Sequence, residues 1–327
     1  MKNLILSGLF SIFLSLFLGK ITLPFLLKLK AGQPILKYVK AHKEKNGTPT
    51  MGGLFFIIST VIVFLAFGGA ESHLAIVAVV IGLAFMVVGF IDDLIKIRRK
   101  QNEGLKAYQK VIFQLSIAIL AGVFVYRNGI TTFYLPFSKS AINVGFFSVP
   151  IVAIIFIAIT NSVNLTDGID GLAGSVSVVY LVIISIIICL QKEIFANSYL
   201  LASDSDKLIL LSICTAFSLL GFLCYNVNKA KVFMGDTGSL ALGGLIGAIS
   251  IFSLNTMFIP VIGIMFVLSS ISVIIQVVHY KKTKKRIFLM APLHHHFQLK
   301  GVSEAKITFC YSLITLACGM LAVLSYV

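Results

Sequence analysis

Charge is scarce in this sequence. Only 12% of its 327 residues are Asp, Glu, Lys or Arg, about half the ~25% of a soluble globular domain, while 58% are hydrophobic. That balance excludes an ordinary cytosolic enzyme and a disordered chain. Cysteine is sparse as well. Cys189, Cys214, Cys224, Cys310 and Cys318 all lie in or beside apolar runs, and no two have Cys-x-x-Cys spacing. A disulfide scaffold is excluded, and zinc, iron–sulfur and redox chemistry lack the spacing they need. Buried, inert thiols remain. No Gly-x-x-x-x-Gly-Lys-Ser/Thr string occurs, so ATP-driven work has no support.

What is present is length of apolar run. A membrane helix needs ~20 predominantly apolar residues, and runs at roughly 4–27, 51–67, 74–91, 111–126, 149–160, 173–190, 208–225, 238–254, 258–279 and 305–326 qualify or come close. The reading is an all-α polytopic integral membrane protein of about ten transmembrane helices, one domain over 1–327. The runs 149–160 and 238–254 are the shortest or most Gly-rich. The first run is too long for a signal peptide and has no small-residue cleavage site after it, so it counts as a span. Between spans, 132–135 and 142–147 are β-prone and separated by Pro136, Ser138 and Ser140, which predicts a small extracytoplasmic hairpin.

Basic residues outnumber acidic ones 27 to 12, a net charge of +15. In a soluble chain that excess would point first to nucleic acid. Here it sits in short inter-span segments and reads as topology and phosphorylated ligands, with no nucleic-acid partner. Lys28, Lys30, Lys37, Lys40, Lys43 and Lys45 follow the first span. Lys96, Arg98, Arg99, Lys100, Lys106 and Lys110 follow the third, Lys229 and Lys231 the seventh, and Lys281, Lys282, Lys284, Lys285, Arg286 and Lys300 the ninth. Intervening loops hold only Arg127, Lys139, Lys192 and Lys207. By the positive-inside rule the odd-numbered loops are cytoplasmic and both termini face outward.

Five of the twelve acids gather in motifs at the cytoplasmic ends of spans, and none sits mid-span, where an ion or proton pathway would need it. Asp92 and Asp93 close the third span, and if the helix continues, Lys96 lies at i+4 and i+3 from them. Acids at a helix C-terminus oppose its dipole, so a plain solvated helix end explains them poorly. Asn164, Asp167 and Asp170 recur every three residues, on one face of a helical turn, beside Gly168, Gly171 and Gly174. Asp236 lies between Gly235 and Gly238 at a helix entry, where free N–H groups and a carboxylate suit a metal–phosphate pair. Gly243-x-x-x-Gly247 beyond it is most simply helix packing. His294, His295 and His296 are adjacent, which is the wrong spacing for one zinc ion on one helix face, so a loop donating hydrogen bonds to phosphate is preferred. Lys45 to Gly53 offers a lysine, hydroxyls and glycines.

Five carboxylates converging on one membrane face would repel unless a cation held them, and Mg²⁺ is the cation that joins carboxylates to substrate phosphates. Lysines, histidines and Gly-rich backbone supply the remaining anion contacts. The parts point to metal-assisted phosphoryl transfer. A transporter would instead show mid-membrane charges or inverted repeats with broken helices.

The strings KNGTPTMGG (45–53), GFIDD (89–93), NSVNLTDGIDG (161–171), FMGDTGSLALGG (233–244) and APLHHHF (291–297), in that order across nearly the whole chain, resemble the polyprenyl-phosphate N-acetylhexosamine-1-phosphate transferase superfamily. The triple-His string is similar to its muramoyl-pentapeptide branch. The resemblance implies ten transmembrane helices in the bacterial cytoplasmic membrane, a homodimer and a cytoplasmic Mg²⁺ site. It also implies transfer of phospho-MurNAc-pentapeptide from UDP-MurNAc-pentapeptide to undecaprenyl phosphate, releasing UMP, as the first membrane step of peptidoglycan synthesis. By the same resemblance, Asp92 looks like the base for the lipid phosphate with Asp93 beside it, and Asp236 like the metal-binding aspartate. Asn164 and Asp167 look like residues near metal and phosphates, and Asp170 and Phe233 like a uracil-binding pair. Lys45, Thr50, Lys96, Lys110, Asn226, Gln276, His294 and His295 match other polar cleft positions, and Gly235, Ser239, Ala291 and His296 complete the substrate-binding set. A superfamily member using UDP-GlcNAc is the closest alternative, and the parts leave open a direct displacement or a phospho-aspartate intermediate.

Overall fold

The computed structural model describes residues 1–28, 47–99, 101, 103–138, 140–194, 202–227 and 229–326. Lys45, with the other basic residues of 29–46, lies outside them. The chain folds as helices α1 (Lys2–Lys28), α2 (Gly53–Ala66), α3 (His73–Arg99), α4 (Ala107–Arg127), α5 (Ser148–Thr166), α6 (Leu172–Ile194), α7 (Ala202–Asn226), α8 (Gly235–Phe252), α9 (Ile259–Ile262), α10 (Ile264–Thr283), α11 (Leu293–Leu299) and α12 (Glu304–Val323). Among the described residues nine of these are long and apolar enough to cross a membrane, and the chain is an all-α polytopic membrane protein.

Two of the ten expected runs fold differently from a simple span. The run at 51–67 gives α2, whose 14 residues reach only about 21 Å at 1.5 Å per residue, short of the ~30 Å hydrocarbon core. It stops because Gly68 turns the chain in the left-handed region, at φ 81°. The run at 258–279 is divided at Gly263 into α9, with Pro260 in its first turn, and α10. In contrast, the short run at 149–160 extends to the 19 residues of α5.

The centre of the bundle is α8, whose residues from Thr237 to Phe252 are all buried. It packs chiefly on α3 and α5, and α2 lies against it as well. Small residues set these distances. A Cβ on Gly53 would stand 2.1 Å from the Gly238 Cα, and one on Gly89 would stand 2.0 Å from the Asp236 carbonyl oxygen. The acidic end of α3 and the entry of α8 are thereby pressed backbone to backbone. Around this core α1 pairs with α7, α6 with α7 and α12, and α10 with α5. Some buried hydroxyls bond within their own helices, as Thr60 does to the Phe56 carbonyl and Thr160 to that of Phe156, and others tie neighbouring helices, as Ser15 does to the Ser218 carbonyl and Ser59 to that of Ser11, since lipid offers no alternative partner.

The expected hairpin is present. β1 (Thr132–Tyr134) and β2 (Ala141–Asn143) pair antiparallel with Phe133 opposite Ile142. It lies beyond the far end of α4 from Lys110 and so at the opposite end of the bundle from the acidic motifs.

Candidate active site

Four helix ends meet at the acidic face. The last turns of α3 bring Asp92, Asp93 and Lys96, the first turn of α4 brings Lys110, the end of α5 brings Asn164, and the start of α8 brings Asp236 and Ser239. Lys96 Nζ lies 2.6 Å from Asp92 Oδ2, 2.9 Å from Asp236 Oδ2 and 3.9 Å from Asp93 Oδ1. The helical spacing anticipated its pairing with both α3 carboxylates. Lys110 Nζ donates to the same Asp236 oxygen at 2.8 Å. The other oxygen of Asp236 accepts from Asn164 Nδ2 at 2.6 Å, and that amide also donates to Ser239 Oγ at 2.8 Å.

The neighbouring aspartates face different tasks. Asp92 is 3% exposed, and its Oδ1 accepts the Leu105 amide at 2.9 Å. Asp93 is fully buried. Its Oδ2 accepts from both the backbone N–H and the hydroxyl of Thr237, at 2.9 and 2.7 Å. Asp93 thus caps the first turn of α8 from another helix, where a carboxylate meets otherwise unsatisfied amides.

Residues 48–53 run beside 230–235. Phe233 N–H donates to the Pro49 carbonyl, and the Gly52 and Gly53 amides donate to the carbonyls of Phe233 and Met234. Gly235 has φ 72°, and a Cβ there would lie 2.4 Å from Thr50 Oγ1 and 2.5 Å from Asp93 Oδ2. Only glycine meets both demands. Thr50 is buried, and its hydroxyl has no hydrogen-bond partner among the described residues. Phe233 is half-buried.

Other expected site residues are engaged as ties. Asn226 accepts from the Gly171 amide and donates to the Val232 carbonyl. Asp170 Oδ2 accepts the Ala230 amide. Asp167, in the turn between α5 and α6, is half-buried. Loss of hydration, followed by the negative fields of Asp236, Asp93 and Asp170, pushes its carboxyl up to about 8.

The histidines separate. His294 is fully buried, and neither ring nitrogen has a hydrogen-bond partner among the described residues. Burial, then the adjacent His295, pushes it down to about 3. Its Nε2 would lie 2.2 Å from a Cβ on Gly168, and His295 Nε2 3.1 Å from it, so these two rings join the Asp167–Gly171 turn. His296 points away and accepts the Leu289 amide at its Nδ1. Gln276 bonds to the backbone of Ile287 and Phe288 through both ends of its amide. It thereby holds the strap before α11, beside a cavity of about 640 Å³ lined by Tyr280, Lys281, Arg286, Met290 and Ala291 among others.

Among the described residues, Asp92, Asp93 and Asp236 offer oxygen atoms within 4.8 Å of one another. Hard carboxylate oxygens so close suit a hard divalent cation. Asp167 stands outside that group. Sequence reasoning missed Thr237, the Leu105 amide, Gln298 and Glu304. Thr237 was visible inside the Gly235–Ser239 string, whereas the other three carry no local signal.

Comparison with known proteins finds relatives over the whole chain. The profile of glycosyl transferase family 4 matches residues 74–254, and the first signature of phospho-N-acetylmuramoyl-pentapeptide-transferase matches 45–57. The phospho-N-acetylmuramoyl-pentapeptide-transferase of Clostridium botulinum (strain Alaska E43 / Type E3) is 44% identical over 92% of this chain and 90% of its own length. That of Clostridium novyi (strain NT) is 40% identical over 100% and 98%, and that of Clostridium kluyveri (strain NBRC 12016) is 39% identical over 99% and 100%. Ordered motifs, an acidic cluster clasped by two lysines and full-length similarity converge: the chain belongs to the phospho-N-acetylmuramoyl-pentapeptide-transferase family.

Proposed function

We propose that this protein transfers phospho-MurNAc-pentapeptide from UDP-MurNAc-pentapeptide to undecaprenyl phosphate, giving undecaprenyl-diphospho-MurNAc-pentapeptide and UMP. The observation that carries the reading is the Asp92–Lys96–Asp236–Lys110 cluster at the meeting of α3, α4 and α8. Phosphoryl transfer depends mainly on positioning and on neutralising charge, and this cluster holds acid and ammonium groups within bonding distance of each other.

Asp92 takes the proton of the lipid phosphate. An oxygen of that phosphate then bonds to the sugar-linked phosphorus of the nucleotide as the bond to UMP breaks, in a single displacement. Asp236, with Asn164 and Asp167 nearby, would hold Mg²⁺, which polarises phosphoryl oxygens when bound. Lys96 and Lys110 turn to phosphate oxygens, as point charges suited to them. Asp93 holds α8 in place and positions Asp236. Asp170 and Phe233 serve the uracil, Phe233 by stacking. Thr50, Gly235, Ser239, Asn226, Gln276, Ala291, His294, His295 and His296 line or support the remainder of the cleft, and Lys45 is assigned to substrate binding by resemblance alone. The basic segments around these motifs support a cytoplasmic active site with both termini outside. The whole chain acts as one domain, and family resemblance supplies the homodimer.

Purified full-length protein in nanodiscs, given both substrates, is expected to release UMP in a Mg²⁺-dependent reaction that Asp236→Ala abolishes. Preference for UDP-GlcNAc, or undiminished release by Asp236→Ala, would overturn the reading. A phosphorylated Asp92 trapped during turnover would overturn the single displacement.

A further inference from the structure

The start of α12 reaches into the site through Glu304 and Thr308, two residues outside every motif. Glu304 Oε2 accepts the Asp170 amide at 3.2 Å, and its Oε1 accepts from Gln298 Nε2 at 2.9 Å. Gln298 Oε1 lies 3.0 Å from His295 Nδ1, three residues earlier on α11. Thr308, one turn along α12, donates to the Asp170 carbonyl. One short segment of α12 therefore grips both the histidine helix and the Asp167–Gly171 turn.

The chain of contacts determines a proton position. A carboxylate only accepts, so Glu304 requires the NH₂ of Gln298 to face it; the flipped amide would place two acceptors 2.9 Å apart. With its NH₂ so turned, Gln298 presents its carbonyl oxygen to His295, and a carbonyl oxygen also only accepts. The nitrogen facing it must carry hydrogen. In the neutral ring the remaining nitrogen then bears the lone pair. That nitrogen is the one beside Gly168, at 3.1 Å from where its Cβ would be.

We propose that Glu304 and Gln298 are positioning residues that hold His295 as its Nδ1–H tautomer, so that Nε2 accepts a hydrogen bond from a substrate hydroxyl or amide at the Asp167–Gly171 turn. Neutral His295 does not donate to a phosphate from Nε2, in contrast to the expectation from the triple-His string. His296 has the opposite arrangement, since its Nδ1 accepts the Leu289 amide. Adjacent histidines are thus set to different tautomers by different partners. The substrate contact rests on the function proposed above, whereas the tautomer does not.

The test uses the full chain in nanodiscs with ¹⁵N-labelled histidine, of which there are six, the His295 signals being assigned by their loss in His295→Asn. Wild type is expected to show His295 with hydrogen on Nδ1 and none on Nε2. Glu304→Gln keeps the Asp170 N–H on its amide oxygen and so turns its NH₂ to Gln298, whose amide flips and shifts His295 toward the Nε2–H tautomer. The pair Gln298→Glu with Glu304→Gln restores the single form, because the amide then at position 304 can donate to the carboxylate at 298 and still accept the Asp170 N–H. In UMP release, Glu304→Gln is expected to raise KM for the nucleotide about tenfold, the worth of one hydrogen bond, with kcat within about threefold as for a contact present in both ground and transition states. The double variant recovers the KM. Hydrogen on Nε2 in wild type, or a tautomer unmoved by Glu304→Gln, overturns the relay. An unchanged KM despite a shifted tautomer overturns the substrate contact. Absence of UMP release in wild type would refute the proposed function and leave the tautomer result standing.

Discussion

Asp92 and Asp93 are adjacent in sequence, yet their surroundings predict opposite outcomes on mutation. Asp93 Oδ2 receives two bonds from Thr237, and its side chain is fully buried. Thr237→Val keeps the shape of the side chain and the backbone bond but removes the hydroxyl donor at 2.7 Å. A hydrogen bond to a charged acceptor is worth about 1.5–3 kcal/mol, so a loss of about 2 kcal/mol in stability is expected, with the start of α8 loosened. Because Asp236 directly precedes Thr237, the looser entry also misplaces the cluster, and a misplacement of about 1 Å costs about a hundredfold in rate. Asp93→Asn follows the same pattern, since it weakens the cap of α8. Asp92→Asn differs. Its oxygen can still accept the Leu105 amide, Lys96 retains Asp236, and one acid fewer relieves repulsion within the buried cluster, so the fold keeps its stability within about 1 kcal/mol while UMP release falls. Thermal unfolding and UMP release measured on the same detergent samples separate the two. Equal stability of Asp93→Asn and Asp92→Asn, or a Thr237→Val protein as stable as wild type, would refute this assignment.

Three further outcomes follow from the same geometry. Gly235→Ala places a Cβ against Thr50 and Asp93 in the left-handed region, at about 1–2 kcal/mol for the backbone alone; kcat should fall at least about tenfold, and an unaltered kcat would show that the close approach is dispensable. Lys110→Met removes one of the two ammoniums on Asp236, and the kcat/KM from initial rates of UMP release should drop by roughly ten- to a hundredfold. His294 stays neutral in the folded protein down to about pH 3, against an ordinary value of about 6.5. As pH falls below 6.5 the unfolded chain takes the proton first, so stability declines toward pH 3 by at most about 1.4 kcal/mol per pH unit; His294→Leu should remove that component from a stability–pH curve.

The parts of the molecule that sequence disclosed are those where lipid constrains composition. Long apolar runs had to be helices, and a charge near them is costly enough that the placement of Asp92, Asp93 and Asp236 carried meaning. The i+3 and i+4 relation of Lys96 followed from helix geometry alone. The length of α2 and the break at Gly263 were not legible, because apolarity continues through both while the helix ends depend on backbone turns at Gly68 and Gly263. Asn226 and Asp170 illustrate a second limit. Both were picked out as polar residues near substrate, and both bond to backbone of distant segments, a destination that no spacing encodes. Glu304 and Gln298 were invisible for the same reason: six residues apart, each acquires its significance from a turn on the other side of the site.

The arrangement also accounts for how three carboxylates tolerate one another in a low-dielectric setting. Removing a charge from water is costly unless partners replace the solvent, and among the described residues Lys96 alone lies within 4 Å of all three acids. Lys110 adds a second ammonium at the oxygen of Asp236 that Lys96 already engages. Three negative groups against two positive ones leave the cluster one positive charge short of balance. A divalent cation would more than supply it, turning the site net positive, and the excess is of the sign that phosphates neutralise. The lysines can then transfer their bonds to phosphate oxygens without stranding a buried acid. Thr237 satisfies one oxygen of Asp93, and the other, Oδ1, has no hydrogen-bond partner among the described residues and remains open to the cation. The same two lysines that make the acidic cluster stable without substrate are therefore the groups best placed to receive it, and the position of Lys110 on a separate helix from Lys96 ties that exchange to the contact between α3, α4 and α8.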